Sequence, residues 1–269
     1  MPEPLLRVDI SVDYPAKKSV LTNLQLELCA GEITGLVGES GSGKSTLALT
    51  ILRLLNRKSA TVRGSISYRG SNLLNLSERE LRHIRGKEIA LVLQSAASSL
   101  NPALRIGTQL REVWSAHEKG SWSSGRTAVT ALLRSMDLPD DDAFLKRYPS
   151  EVSVGQAQRL LIAMAVMHNP SVLIADEPTS ALDVITQARV VQLLRRLADE
   201  RRIAVLFISH DLLAVGSVCD RLSILRQGTI VESGPCNEVF ANPSDPYTRA
   251  LLESLPAVHR ESAHLSFTS

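Results

Sequence analysis

Hydrophobic residues follow two different patterns along the chain. They alternate with polar residues over Leu5–Val12 and Leu24–Leu28, and Gly64–Gly70 is a further short segment bounded by glycines. Such segments predict half-buried strands of an antiparallel sheet. Unbroken apolar runs, which are typical of buried strands, occupy Glu32–Val37, Glu88–Leu93, Val172–Ala175 and Ile203–Ile208. The two patterns predict an α/β core with an antiparallel β subdomain beside it.

The pattern changes over residues 95–150, where strand signals are absent. Amphipathic helices are predicted at Ile106–Trp114 and Thr127–Met136, with a serine- and glycine-rich loop at Gly120–Gly125 between them. Asp137–Asp142 is predicted to be an acidic turn. This stretch is therefore predicted to be a helical insertion into the α/β core.

The turn between the first buried strand and the next helical pattern has the spacing G-x-x-x-x-G-K-[ST]. Glycines let successive backbone N–H groups point at a phosphate, and the helix N-terminus and the Lys44 ammonium face the same anion. The Ser45 hydroxyl is the expected ligand of Mg²⁺. The sequence therefore predicts a nucleoside triphosphate bound by Gly38, Glu39, Ser40, Gly41, Ser42, Gly43, Lys44, Ser45 and Thr46.

Polar residues follow three of the buried strands, at the carboxyl ends where ligands of open α/β sheets bind. Gln94 is predicted to touch a bound ion or water, and Asp176 to hold Mg²⁺. Glu177 is predicted to polarise the attacking water, and His210 to donate a hydrogen bond to a γ-phosphate. The competing interpretations are a strand-capping glutamine, a helix-capping acidic pair and a solvated histidine.

Two further sites depend more on context. Ser153, Gly155 and Gln156 precede the helix predicted over Ala157–Val166, which favours a second anion site, although alone they would be a plain N-cap. Tyr14 precedes Gly38 by 24 residues and is placed either to stack on a purine or to lie at the surface of a strand end.

Composition narrows the class of protein. With 269 residues and 44% hydrophobic content the chain can bury a full core. Its 30 basic and 28 acidic residues leave a net charge of +2, which predicts no nucleic-acid partner. Cys29, Cys219 and Cys236 lack metal-ligand spacing and predict reduced cytosolic thiols. No apolar run approaches the roughly 20 residues of a membrane span and no signal peptide is evident, so action at a membrane would require a partner.

Taken in order, these residues resemble the motifs of the nucleotide-binding subunits of ATP-binding cassette (ABC) transporters. Gly38–Ser45 resembles Walker A, Gln94 the Q-loop glutamine, and Val152–Gln156 the signature motif. Val172–Asp176 with Glu177 resembles Walker B, and His210 the switch histidine. Ser180–Asp183 is similar to the D-loop, which adds Asp183 to the expected nucleotide contacts, and Tyr14 falls where the family has its adenine-stacking aromatic.

The resemblance implies one ABC ATPase domain over residues 1–269 with a RecA-like P-loop NTPase core. The core and β subdomain are expected in residues 1–94 and 166–235, and the helical subdomain with the signature in 95–165. Residues 236–269 are expected to be a C-terminal helix and tail. The implied cofactors are ATP and Mg²⁺. The implied location is peripheral, on the cytoplasmic face of the inner membrane.

The implied partners are transmembrane permease subunits, a second nucleotide-binding subunit and, indirectly, an extracytoplasmic substrate-binding protein. Gln94–Pro102 lies where the family contacts its membrane subunit. Residues 98–102 and 245–252 resemble the dipeptide, oligopeptide and nickel importer group. Because no cysteine follows Cys236, no iron–sulfur cluster is expected. Peptide, nickel and metal chelate all remain open as substrates.

One residue departs from the family pattern, since Val154 replaces the first glycine of the signature. A glycine in such a turn is expected either because its backbone takes φ > 0 or because a ligand approaches closely. A β-branched residue forced to φ > 0 would cost about 1–3 kcal/mol or shift the loop. The signature serves ATP held by the opposite subunit, so a heterodimer with an intact cassette is favoured over a homodimer. One alternative is a soluble ABC ATPase acting on nucleic acid or ribosomes, although such proteins usually have two cassettes or a long coiled-coil insertion. The other is a regulatory cassette that does not hydrolyse ATP, which the presence of Lys44, Asp176, Glu177 and His210 argues against.

Overall fold

The structure is a computed structural model that describes residues 3–55, 60–180 and 182–255. Its strands, in chain order, are β1 (Leu6–Tyr14), β2 (Lys17–Leu28), β3 (Ile33–Val37), β4 (Thr61–Tyr68), β5 (Ser71–Asn72), β6 (Ile89–Val92), β7 (Val172–Asp176), β8 (Ala204–Ser209), β9 (Arg221–Arg226) and β10 (Thr229–Pro235).

The α-helices are, in chain order, α1 (Lys44–Ile51), α2 (Glu78–Ile84), α3 (Ala96–Ser99), α4 (Ile106–His117), α5 (Trp122–Ser135), α6 (Asp142–Leu145), α7 (Val154–Val166), α8 (Val184–Arg201), α9 (Leu212–Gly216), α10 (Cys236–Ala241) and α11 (Pro246–Glu253). No helix within the described ranges is both long and apolar enough to cross a bilayer.

The strands form two sheets. A four-stranded antiparallel sheet has the order β2-β1-β4-β5, and a six-stranded sheet has the order β10-β9-β3-β8-β7-β6. In the larger sheet β9, β3, β8, β7 and β6 are parallel, whereas β10 pairs antiparallel with β9. The predicted α/β core with an antiparallel sheet beside it is confirmed.

The unbroken apolar runs are explained by burial of the parallel strands on both faces. Ile33 and Phe207 pack in one hydrophobic core, with the helices of the middle region. Leu36 and Ile208, on the same two strands, pack in a second core against the antiparallel sheet. β1 instead alternates buried and exposed residues from Leu6 onward, because only one of its faces meets that second core.

The glycine-rich segment at residues 120–125 differs from the prediction of a loop, because α5 begins within it at Trp122. Gly125 lies against the indole of Trp114, and a Cβ at this position would stand 2.5 Å from Trp114 Cε2. This glycine therefore permits close packing of α5 on α4 instead of interrupting the helix.

Five of the described α-helices had no individual counterpart in the predictions: α2, α3, α6, α9 and α10. The start of α2 carried a local signal, since Ser77 and Glu80 form a reciprocal capping box there. The helix predicted near the C-terminus is present as α11. The tail predicted to follow it, residues 256–269, lies outside the described residues.

Candidate nucleotide site

The loop between β3 and α1 has a backbone that requires glycine. Gly41 and Gly43 take φ of 80° and 113°, in the left-handed region. A Cβ on Gly43 would also stand 2.6 Å from Leu21 Cδ2. Gly43 is the N-cap of α1 and supplies no side-chain cap, so the first N–H groups of this helix remain open to an anion.

The lysine of the loop is held among backbone oxygens. Lys44 is only 6% exposed, and its Nζ donates hydrogen bonds to the carbonyl oxygens of Gly38 at 2.7 Å and Glu39 at 3.0 Å. Burial lowers the pKa of Lys44, whereas the carboxylates of Glu177 and Asp176 raise it. A buried ammonium at a helix N-terminus is a strong point of attachment for phosphate.

Sheet order brings three predicted side chains together. Gln94 and His210 follow strands on either side of β7, which is itself followed by Glu177. Gln94 Nε2 donates to Glu177 Oε2 at 2.9 Å, and His210 Nδ1 lies 3.2 Å from the same oxygen. The Glu177 backbone takes φ of 48° and donates its N–H to the Ile208 carbonyl at 2.9 Å. The carboxylate therefore has two side-chain partners on one oxygen, and a backbone hydrogen bond fixes the residue at the carboxyl end of the sheet.

Asp176, the last residue of β7, fits a cation ligand. It is 5% exposed, and its Oδ1 is buried without a hydrogen-bond partner among the described residues. Burial raises the pKa of Asp176, a hydrogen bond with Ser45 lowers it, and the Glu177 carboxylate raises it further. Such a buried carboxylate oxygen beside a hydroxyl suits Mg²⁺, which takes one or two protein oxygens and completes its shell with water and phosphate.

Most of the predicted residues line one cavity of about 820 Å³, which we call the nucleotide cavity. The predicted residues that line it are Tyr14, Ser40, Gly41, Gly43, Lys44, Ser45, Thr46, Gln94, Glu177 and His210. Gly38, Glu39, Ser42 and Asp176 are outside this lining. Tyr14 is thus placed beside the phosphate loop, and its stacking role stays a prediction.

The lining also contains Ala16, Lys17 and Val20, which the sequence argument missed. Lys17 is the register partner of Tyr14 across the β1–β2 turn, which brings its ammonium to the cavity. The adjacent basic pair of Lys17 and Lys18 after Tyr14 was the available signal. A cation at this position is suited to a phosphate or to the polar edge of a nucleotide.

The remaining predicted contacts do not line the nucleotide cavity. They lie at the starts of α7 and α8, on what we call the signature surface. This surface consists of Ser153, Val154, Gly155, Gln156 and Asp183. Ser153 Oγ accepts from Gln156 N at 3.2 Å, and Gln156 Oε1 accepts from Ser153 N at 3.1 Å. Asp183 caps α8 by accepting from Thr186 N at 3.0 Å. A Cβ on Gly155 would clash with Thr186 Cγ2, so this glycine allows the two helix starts to touch.

Of the two reasons expected for a glycine at position 154, the one that requires φ > 0 is wrong. Val154 is the first residue of α7 and is not among the described residues with positive φ. The helix start needs no left-handed residue, because its turn is made by Ser153 in an extended conformation. The Val154 side chain instead projects from the surface, where it is 56% exposed. Any effect of this valine on a ligand must come from its bulk, since its backbone is relaxed.

A glycine loop between strand and helix, a buried lysine and a strand-end carboxylate pair define a P-loop nucleoside triphosphatase. The chain matches the ABC transporter family over residues 21–180. Residues 231–266 match the family described as the oligopeptide/dipeptide transporter C-terminal region.

Curated relatives agree with this assignment. A probable peptide ABC transporter ATP-binding protein, y4tR, of Sinorhizobium fredii is 42% identical over 92% of this chain and 75% of that protein. The oligopeptide transport ATP-binding protein OppD of Bacillus subtilis is 39% identical over 91% of this chain and 69% of that protein. The dimeric ATP-binding cassette MJ0796, in a post-hydrolysis state with ADP and phosphate, is 27% identical, with a TM-score of 0.75 over 86% of this chain and 98% of that chain. The chain belongs to the ABC transporter family, as an ATP-hydrolysing subunit.

Proposed function

We propose that this chain powers the import of peptides, as a peripheral subunit on the cytoplasmic face of the membrane. The support is the similarity to relatives named for peptide transport and to the oligopeptide/dipeptide C-terminal region. In this proposal Gln94–Pro102 contacts a permease subunit, and an extracytoplasmic binding protein delivers the peptide to the permease. Nickel is the less favoured cargo, because the relatives compared above are named for peptides.

We infer that ATP binds in the nucleotide cavity, with its purine against Tyr14 and its phosphates on the loop amides and Lys44. Asp176 and Ser45 would hold Mg²⁺, which neutralises charge on the phosphates. Glu177 then accepts a proton from the attacking water, and Gln94 and His210 keep its carboxylate oriented. The observation that carries this proposal is the contact of Gln94 and His210 with one oxygen of Glu177, at 2.9 and 3.2 Å.

Replacing the proposed base tests the assignment. Glu177→Gln should retain ATP binding while turnover falls by about 10²–10⁴, the usual loss when a general base is removed. Lys44→Ala should instead weaken ATP binding itself, because the ammonium is a ground-state phosphate contact. Equilibrium titration with a fluorescent ATP analogue and a phosphate-release assay separate the two effects.

The matched control is Glu112→Gln, an exposed glutamate of α4 that lies outside the nucleotide-cavity lining. It should leave both measurements at the level of the unmodified chain. Near-normal turnover in Glu177→Gln would remove the catalytic assignment, and unaltered ATP affinity in Lys44→Ala would remove the proposed phosphate contact.

We also propose that the second nucleotide-binding subunit is a different cassette. In the family arrangement the signature surface meets ATP bound to the opposite subunit, and the exposed Val154 side chain reduces the space for that phosphate. A homodimer would carry this obstacle at both sites. A heterodimer would combine the intact nucleotide cavity of this chain with an unobstructed signature from the partner.

A further inference from the structure

The C-terminal helix α11 reaches the phosphate loop through Tyr247. The tyrosine ring packs against the main hydrophobic core, and the Arg226 guanidinium lies over the ring, 4.7 Å from its centroid. This distance is within the range of a cation–π contact. Arg226 is the last residue of β9, so the contact joins α11 to the carboxyl end of the sheet.

The same tyrosine faces the loop itself. Its hydroxyl is fully buried, and no hydrogen bond of standard geometry reaches it within the described chain. Burial and the neighbouring Glu39 carboxylate raise the pKa of Tyr247, and the Arg226 guanidinium opposes the shift. The side chain of Glu39, the second residue of the phosphate loop, is itself exposed. Tyr247 therefore lies between the end of β9 and the second residue of the phosphate loop.

The loop backbone is also pressed directly onto β9. A Cβ on Gly38 would clash with the carbonyl oxygen of Leu225, which is the residue before Arg226. The carbonyl groups of Gly38 and Glu39 are the two that accept hydrogen bonds from Lys44. The first turn of the loop thus has β9 on one side and Tyr247 beside it, and it holds the lysine in place.

The position of Tyr247 is itself fixed by polar contacts. Asp245 Oδ1 accepts from Tyr247 N at 2.8 Å and caps α11. Glu232 on β10 accepts from the N–H groups of Ser244 at 2.7 Å and Asp245 at 3.2 Å. Burial would raise the pKa of Glu232, but these backbone donors help to lower it overall, so its carboxylate stays charged to hold the start of α11.

We propose that Tyr247 is a positioning residue for the phosphate loop, through which the C-terminal region stabilises the backbone oxygens that hold Lys44. Nothing in the motif pattern assigns this role to the C-terminal region. Its consequence for ATP affinity rests on the proposed function, whereas the stabilisation of the loop is measurable without nucleotide.

The test compares Tyr247→Ala with Tyr247→Phe, which keeps the ring over which Arg226 lies. Hydrogen–deuterium exchange of residues 38–44 in the nucleotide-free chain should accelerate in Tyr247→Ala and much less in Tyr247→Phe. Titration with mant-ATP and Mg²⁺ should show Kd raised about three- to tenfold in Tyr247→Ala, the size of one lost cation–π contact. Exchange in β1, β2 and β4 of the antiparallel sheet, which pack in the second core, should be unchanged.

The matched control is Tyr148→Ala, because Arg105 lies over the Tyr148 ring at 5.7 Å, away from the loop. It should leave exchange of residues 38–44 unaltered. Normal exchange and normal Kd in folded Tyr247→Ala, or an equal effect of Tyr148→Ala, would overturn the proposal. If Tyr247→Ala does not fold, Arg226→Leu removes the cation and the same measurements decide. If the unmodified chain binds no mant-ATP, the proposed function fails and the exchange result still tests Tyr247.

Discussion

The starts of α1 and α7 are two helix N-termini built from similar residues with different properties. At α1 the N-cap is Gly43 at φ 113°, no side chain caps the helix, and the first residue is a lysine only 6% exposed. At α7 Ser153 and Gln156 cap each other, and the first residue is a valine 56% exposed. A serine and a glycine occur at both starts, but Gly43 precedes α1 whereas Gly155 lies inside α7.

The difference in capping shows which of the two helix N-termini can bind a ligand within one chain. The amides of α1 are left without side-chain partners and face a cavity, so binding an anion satisfies them. At α7 the capping box already supplies partners for backbone donors, and the surface is open. The α7 start is therefore stable by itself, and the nucleotide contact proposed for it would require a second subunit to cover it.

The largest effect should come from Gly43→Ala, which places a side chain at the strained position of the first site. The φ of 113° and the approach to Leu21 should cost about 1–3 kcal/mol, or roughly tenfold to 100-fold in nucleotide Kd if the loop shifts to relieve the strain. Thermal unfolding measures the loss of stability, and titration with mant-ATP measures the change in Kd.

Gly155→Ala is the counterpart at α7, where the obstacle is only the Thr186 methyl group. Its loss of stability should be relieved by Thr186→Ser, and its own nucleotide Kd should not change. Normal mant-ATP binding by Gly43→Ala, or weakened binding by Gly155→Ala, would contradict the contrast between the two helix starts.

An intermediate effect on the free energy of unfolding is expected for Asp176→Asn. Burial raises the pKa of this carboxyl above its ordinary value of 3.8, so the folded chain holds the proton more tightly than the unfolded chain. Stability then falls as pH rises through the window between the two pKa values. Asp176→Asn should accordingly raise the free energy of unfolding at neutral pH by about 0.5–2 kcal/mol, while Mg²⁺-dependent nucleotide binding is lost.

The gain should shrink as pH is lowered and vanish well below 3.8, where the carboxyl is protonated in both states. Denaturant unfolding over a pH series measures it. Asp9→Asn, at an exposed residue of β1, is the control and should show no gain. A stability difference that is independent of pH would mean that burial of the charge is not its cause.

The smallest effect on stability should come from Val154→Gly, which removes the bulk at the second helix start. The free energy of unfolding should fall by only a few tenths of a kcal/mol, the difference in helix propensity between the two residues. Binding of mant-ATP to the isolated chain should not change. ATPase activity of the chain alone should rise, and it should rise less when the partner cassette is present.

Full activity of the chain alone, with no response to Val154→Gly, would refute the proposed heterodimer. The comparison needs the rate for the chain alone, for the variant alone, and for each with the partner cassette. An equal rise with and without the partner would also count against it, because the partner would then not supply the better signature.

Sequence reasoning succeeded where function depends on residues close together in the chain. The loop from Gly38 to Thr46 could be predicted because its glycines, lysine and flanking periodicity are contiguous. It failed at Val154 and Gly125, where a glycine pattern was interpreted as a turn. Val154 is the first residue of a helix, and Gly125 lies inside one. Close packing explains the glycines, since Gly125 lies against Trp114 and Gly155 against Thr186.

The period of each element, the curl of the phosphate loop and the residues that end each buried strand can all be predicted from the sequence, because they follow from neighbouring residues. The meeting of Gln94 and His210 on one oxygen of Glu177 is a property of the fold, since it requires β6 and β8 to lie on either side of β7. The position of Tyr247 beside Glu39 is also a property of the fold. Contacts between residues so far apart in the chain depend on strand order and helix packing, which no local pattern specifies.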